Sequence, residues 1–235
     1  PSAAERMTLI AVGGYGRGEM APHSDIDIGF LTPWKQSAWS EQVIEAILYS
    51  LWDLGLKVGH SSRSLDEMVR QAKADVTIRT ALLEARYVWG DTALYDEAAQ
   101  RFKNEVQADS ARAFVADKLA ERDARHKRMG DSRYVVEPNV KEGKGGLRDL
   151  QTLFWIGKYV HDVTRARELV EAGLFTPLEY RQFNRAENFL WAVRCHLHLI
   201  AGRAEDRLTF DLQREIAERM NFADRPGKAR VERFM

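Results

Sequence analysis

Cysteine and net charge are what this sequence most lacks. Cys195 is the single cysteine in 235 residues, which excludes an intramolecular disulfide and a cysteine-rich zinc site and fits a reducing compartment. Lys plus Arg and Asp plus Glu number 35 each, so the formal net charge is zero. The basic excess that marks a nucleic-acid binder is therefore missing, although a local basic pocket is not excluded. No apolar run reaches the roughly 18 residues of a membrane span, and no signal peptide opens the chain. These absences predict a soluble, cytoplasmic protein with neither membrane nor nucleic acid as a partner.

Hydrophobic residues make up 45% and charged residues 30%, an ordinary balance for a chain with a real core. The length suits one large domain or two small ones. Both ends read as cut: an apolar strand pattern starts almost at once, and Arg233-Phe234-Met235 carries no helix stop signal. Up to about residue 100, short apolar runs alternate with helical patterns. Strands are expected at Met7 to Val12, Asp25 to Leu31 and Gly55 to Ser61. Between the last two, Val43, Ile44, Ile47, Leu48 and Leu51 recur at helical spacing and predict a helix from Ser37 to Leu54. Val76 to Trp89 reads as a helix in its first half, with a strand open at Leu83 to Val88. Beyond residue 100 the pattern is helical: Ala111 to Met129, residues 150–161 and residues 178–202, with glycine- or proline-punctuated breaks at Glu137 to Gly146 and Ala172 to Pro177. The expected fold is α+β, a small mixed-sheet domain over residues 1–100 followed by an all-helical domain over residues 101–235.

The informative stretch is Val12-Gly13-Gly14-Tyr15-Gly16-Arg17-Gly18-Glu19 followed by Ser24-Asp25-Ile26-Asp27-Ile28. A strand runs into a double glycine, a short helix follows, and a second strand carries two aspartates. Gly13 and Gly14 remove side chains where the backbone must turn and where a phosphate could approach main-chain N–H groups at a helix start. Strand alternation predicts that Asp25 and Asp27 share one face while Ile26 and Ile28 pack on the other. Two neighbouring carboxylates repel unless a cation sits between them. Oxygen ligation suits Mg²⁺ (or Mn²⁺), held by one or two carboxylates plus substrate phosphates. Other motifs fail on detail. The glycine spacing is wrong for a dinucleotide fingerprint, and no Gly-Lys-Ser/Thr closes a P-loop. A calcium loop would not place isoleucines at 26 and 28. A glycine turn or a surface Asp-x-Asp alone is commonplace; the two at this distance are not.

Those residues resemble the signature of the DNA polymerase β-like nucleotidyltransferases. Within that superfamily the chain is similar to the uridylyltransferase/uridylyl-removing family acting on the nitrogen-regulatory PII protein. Supporting blocks are Glu137-Pro138-Asn139-Val140-Lys141-Glu142-Gly143-Lys144-Gly145-Gly146-Leu147-Arg148-Asp149-Leu150-Gln151, then Leu190 to Leu199, then Asp206-Arg207-Leu208 with Gln213. The resemblance implies magnesium-dependent transfer of UMP from UTP to a tyrosine of PII with release of pyrophosphate, and a helical domain closing the nucleotide cleft. Family members continue into a histidine- and aspartate-rich phosphohydrolase domain and then sensing domains. The six histidines here, His161 beside Asp162 among them, show no spacing that would gather a metal site.

The superfamily's site is normally completed by a third carboxylate on a strand. Glu84 in Leu83-Glu84-Ala85-Arg86 fits best and Asp53 is the runner-up, with a solvated helix end as the alternative for both. Arg17 could grip a triphosphate with its forked donors or pair with Glu19. Ser24 could bind a phosphate oxygen or only make a turn. From Lys141 to Arg148, the cations Lys141, Lys144 and Arg148 with Gly145 and Gly146 are expected to contact phosphate or ribose, a basic linker being the alternative. His60 follows a strand and reads as structural. His196 and His198, two apart on a helix, are a poor metal pair. Trp52, Trp155 and Trp191 are expected in the core.

Two rival readings stand beside the uridylyltransferase. One is the related adenylyltransferase acting on glutamine synthetase; the other is a catalytically silent module that senses a nucleotide. The aspartate pair argues against the silent module. Base contacts that no local motif reveals separate UTP from ATP.

Overall fold

The computed structural model describes residues 5–132 and 134–235; residues 1–4 of the expected first domain lie outside them. The chain divides into two compact units. One comprises residues 1–20 and 24–114, the other residues 21–23 and 115–235.

The first unit is built on a four-stranded mixed sheet in the order β3-β2-β1-β4. β1 (Thr8–Ala11) runs antiparallel to both β2 (Ile26–Thr32) and β4 (Arg86–Gly90), while β2 and β3 (Val58–Ser64) are parallel. The parallel pair needs a crossover, and α2 (Ala38–Asp53) supplies it. Ser37 and Ser40 close a capping box at its start, satisfying backbone donors that would otherwise be orphaned. Ile44 and Leu48 of α2 join Met7, Ile28 and Phe30 in one buried cluster, with Ile26 packed against it. The isoleucines beside Asp27 thus face α2, as alternation requires. α1 (Gly13–Arg17) is a single turn, α3 (Leu65–Ala74) and α4 (Val76–Leu83) follow β3, and α5 (Thr92–Arg101) continues into a π-helical turn, Phe102–Gln107. Phe102 and Val106 of that turn are buried against α3, which carries the first unit past residue 100 to Phe114.

The second unit comprises α6 (Ala111–Arg128) beyond its first turn, α7 (Leu147–His161), α8 (Glu168–Glu171), α9 (Pro177–Ala201), α10 (Phe210–Arg219) and α11 (Arg230–Phe234). α9 opens with a Thr176/Glu179 capping box and a proline in its first turn, a strong start signal. Its Val193 and Leu197 meet Val140, Leu208, Ile216, Ala217 and Phe234 in the buried core.

The helices expected at 37–54, 111–129, 150–161 and 178–202 are present within a few residues. The third strand lies later than expected, at Val58–Ser64. Gly55, at φ +75, makes the left-handed residue that ends α2, and the chain needs two more residues before it can pair. Of the three tryptophans expected inside, Trp155 is 4% exposed and Trp191 half-buried. Trp52 is 43% exposed, because it lies on the solvent side of α2, edge-on to Tyr49 and His60.

Candidate active site

Asp27 is the second residue of β2, and its carboxylate is made possible by two glycines on neighbouring segments. In the parallel ladder Asp27 pairs with Gly59. A Cβ on Gly59 would stand 2.5 Å from Asp27 Oδ1, and one on Gly13 would stand 3.3 Å from Oδ2. Real Cβ atoms do not approach an oxygen as closely as the first distance, so only glycine at 59 leaves the carboxylate where it is. The Val12 amide donates to the Asp27 carbonyl at 3.0 Å, which ties the turn after β1 to the strand that carries the aspartate.

The half-buried Asp27 side chain borders a cavity of about 350 Å³. Gly13, Ser61, Arg63, Thr77 and Ile78 contribute to its wall. Ser61 and Arg63 follow Gly59 at alternate positions of β3, so they lie on the sheet face opposite α2. Arg63 donates to Ser61 Oγ and to Gln71 Oε1, both at 2.6 Å. Burial draws its guanidinium below its ordinary value, against the pull of Glu67 and Asp75. His60 lines the cavity too, though it is exposed and edge-on to Trp52.

Asp25 is exposed and stands one residue ahead of β2 rather than within it. The strand starts only where the Ile26 amide finds the Lys57 carbonyl at 2.8 Å, so strand alternation governs Asp27 but not Asp25. Ser24 precedes it, half-buried.

Glu84 is not on a strand. It caps the end of α4, two residues short of β4, and is 2% exposed. Its carboxylate meets the Arg17 guanidinium at 3.2 Å, and Arg17 also binds Glu19 at 2.8 Å. Arg17 is therefore held between two carboxylates. Among the described residues no three His, Cys, Asp or Glu side chains form a group that could hold a metal. Asp53, the other candidate, is exposed at the end of α2. Gly16 explains why α1 and α4 meet: a Cβ there would overlap the Glu84 carbonyl oxygen. Arg86 clamps the same turn, donating to the carbonyls of Gly16 at 3.2 Å and Tyr15 at 3.0 Å.

The glycine-rich block ahead of α7 is a closed loop. The amides of Lys141 and Glu142 donate to Asn139 Oδ1, that of Gly143 to the Asn139 carbonyl and that of Gly145 to Asp149 Oδ2. The amides of Gly146, Leu147 and Arg148 are taken by Gly143, Val140 and Lys141. The amides of Gly145 and Gly146, expected beside phosphate or ribose, are thus both engaged within the loop. The cations are engaged as well: Lys144 with Asp131 at 2.8 Å, Arg148 with Glu142 at 3.2 Å, and Lys141 3.9 Å from Asp206. Asp149 anchors the loop to α6 through His126 at 2.9 Å and through Arg125. Burial works to raise the Asp149 carboxyl, yet the Gly145 amide, His126 and Arg125 together hold it below the usual carboxylate value.

A glycine turn leading to an aspartate strand in a small mixed sheet defines a nucleotidyltransferase-type domain. Its family model, described as a nucleotidyltransferase domain, matches residues 4–88. A second model, described as GlnD PII-uridylyltransferase, matches residues 113–235, and the chain belongs to that family. Among relatives named bifunctional uridylyltransferase/uridylyl-removing enzyme, one from Novosphingobium aromaticivorans is 74% identical over the whole chain. Those from Erythrobacter litoralis and Bradyrhizobium sp. (strain ORS 278) are 68% and 64% identical. The chain spans about a quarter of the length of each relative, 26%, 26% and 25% respectively. Among the described residues no helix is long and apolar enough to cross a membrane.

Proposed function

We propose that this chain transfers a uridylyl group from UTP to a tyrosine hydroxyl of a PII protein. The tyrosine oxygen bonds to the α-phosphorus, the bond from that phosphorus to the bridging oxygen of the β-phosphate breaks, pyrophosphate leaves, and the hydroxyl proton passes to solvent. The observation that carries this reading is the Asp27 carboxylate, set between Gly13 and Gly59 at the edge of a cavity, in a chain whose relatives are named uridylyltransferases.

Enzymes with this domain generally use a divalent metal, and the donors here fit one. Asp25 and Asp27 offer carboxylate oxygens two residues apart, and the glycines leave room for phosphate beside them. That is the donor set of Mg²⁺, which takes one or two carboxylates and completes its shell with phosphate and water. A bound Mg²⁺ would neutralise charge building on the triphosphate. In this reading Gly13 and Gly14 give the phosphates access to the turn, and Ser24 contacts a phosphate oxygen. Arg17 and Glu84 brace the turn, and the loop from Lys141 to Arg148 holds its own shape. A cytoplasmic setting without nucleic acid belongs to the same reading, in keeping with the zero net charge.

Thermal melting with UTP, ATP, CTP and GTP, each with and without Mg²⁺, tests it. UTP with Mg²⁺ should raise the melting temperature most. Equal or greater stabilisation by ATP would move the assignment to the adenylyl-transferring relatives.

A further inference from the structure

Ala21, Pro22 and His23 belong to the helical unit although they lie in sequence between α1 and the aspartates. Ala21 is 3% exposed. The His23 amide donates to Nδ1 of His198 on α9 at 3.2 Å. A ring nitrogen that accepts an N–H carries no proton, so the proton of a neutral imidazole is on Nε2. Nε2 lies 3.3 Å from Asp206 Oδ1 and donates to it.

Asp206 fixes that tautomer and is itself fixed. Arg194 Nε donates to Oδ1 at 2.7 Å, and Lys141 stands 3.9 Å from Oδ2. Its backbone carbonyl takes the Val140 amide at 2.8 Å. His198 has no exposed side-chain surface, and burial draws its pKa below the ordinary histidine value, against the pull of Asp206. The charged and titratable groups facing it are Asp206, Arg194 and His23. A buried neutral imidazole held at both nitrogens is a rigid mount, and the amide it holds is two residues from Asp25.

We propose that His198 is a positioning residue for uridylyl transfer: its Nδ1 holds the backbone at His23, two residues ahead of Asp25 in the chain. Oriented by Asp206, it links the third block of sequence to the second through Lys141 and Val140. This inference rests on the functional reading above.

Two variants of the full natural chain separate positioning from packing. In His198→Asn the amide oxygen sits at the δ position and can still accept the His23 N–H. In His198→Gln the amide reaches the ε position, can still donate to Asp206, and leaves the His23 N–H without its acceptor. Transfer from UTP should fall on the order of 10- to 100-fold in kcat for His198→Gln, with KM for UTP little changed, and should be largely retained in His198→Asn. Amide exchange at His23 should lose protection in His198→Gln and keep it in His198→Asn. Equal transfer by both variants would overturn the proposal, as would losses that track their melting temperatures or unchanged His23 exchange in His198→Gln. A wild-type chain that transfers nothing from UTP would instead overturn the functional reading, and His23 exchange would still decide whether His198 holds the segment.

Discussion

Asp27 Oδ1 lies only 2.5 Å from the point where a side chain on Gly59 would begin. The two residues are partners in the β2–β3 ladder, so neither can move away without breaking the sheet. Gly59→Ala should therefore displace the carboxylate rather than unfold the protein. Transfer should fall by about 10² while the melting temperature drops by only a few degrees. A kinetic assay beside a melting curve checks both, and full activity in this variant would remove Asp27 from the reaction.

Asp27→Asn and Asp25→Asn should each abolish transfer and weaken the dependence of nucleotide binding on Mg²⁺, with the fold intact by circular dichroism. Each replacement keeps the side chain's size and removes the charge that a hard cation needs. Titration of UTP with and without the metal reads this directly. Asp25 is the more exposed of the two, so its loss should cost less stability.

Glu84 and Arg17 offer a different outcome. Their side chains are 1% and 10% exposed, and breaking such a pair typically costs about 3–5 kcal/mol. Arg17→Ala and Glu84→Gln should both lower the unfolding free energy, read from denaturant melts, by about that much or somewhat less, since each keeps other contacts. The Mg²⁺ concentration for half-maximal transfer should not change in Glu84→Gln. A tenfold shift in that concentration would make Glu84 part of the metal site.

The histidine at position 198 predicts an acid-side loss of stability. Its folded pKa lies below the ordinary 6.5 because it is buried, so the unfolded chain takes up the proton first as the pH falls. Stability should be fully present above 6.5 and decline as the pH drops through the depressed value. The neighbouring Asp206 is shifted downward from 3.8: burial opposes this, but Arg194, Lys141 and His198 outweigh it. Its own contribution is therefore lost only below 3.8. Urea midpoints measured between those two values should slope downward toward acid in the wild type and flatten in His198→Asn.

Much of this was legible in one sequence. Helical periodicity found α2, α6, α7 and α9, because a buried stripe must repeat with the helix wherever it packs. The glycine turn and the Asp-x-Asp pattern marked the site, because backbone turns and paired carboxylates are local requirements. β3 was displaced and α3 went unnamed, since one is half-exposed with few apolar residues and the other is a short, polar segment. Gly59 was out of reach: an isolated glycine in Val58-Gly59-His60 has no meaning until a parallel strand brings Asp27 beside it.

What the sequence determined by itself was therefore local chemistry: where the chain turns, which carboxylates stand close together, and which helices carry an apolar face. Partnership was decided only by tertiary structure. Glu84 reads in its own segment as a third carboxylate of the site, and the packing of α1 against α4 pairs it with Arg17. The cations and glycines from Lys141 to Arg148 read as phosphate or ribose contacts, and only the fold shows that the loop's amides bond its own carbonyls and carboxylates. His198 reads as half of a poor metal pair, yet residues 175 positions apart in sequence make it the mount for His23. Charges and polar backbone groups act at hydrogen-bond range, so their partners follow from which surfaces fold together, a property of the whole chain and not of any short stretch.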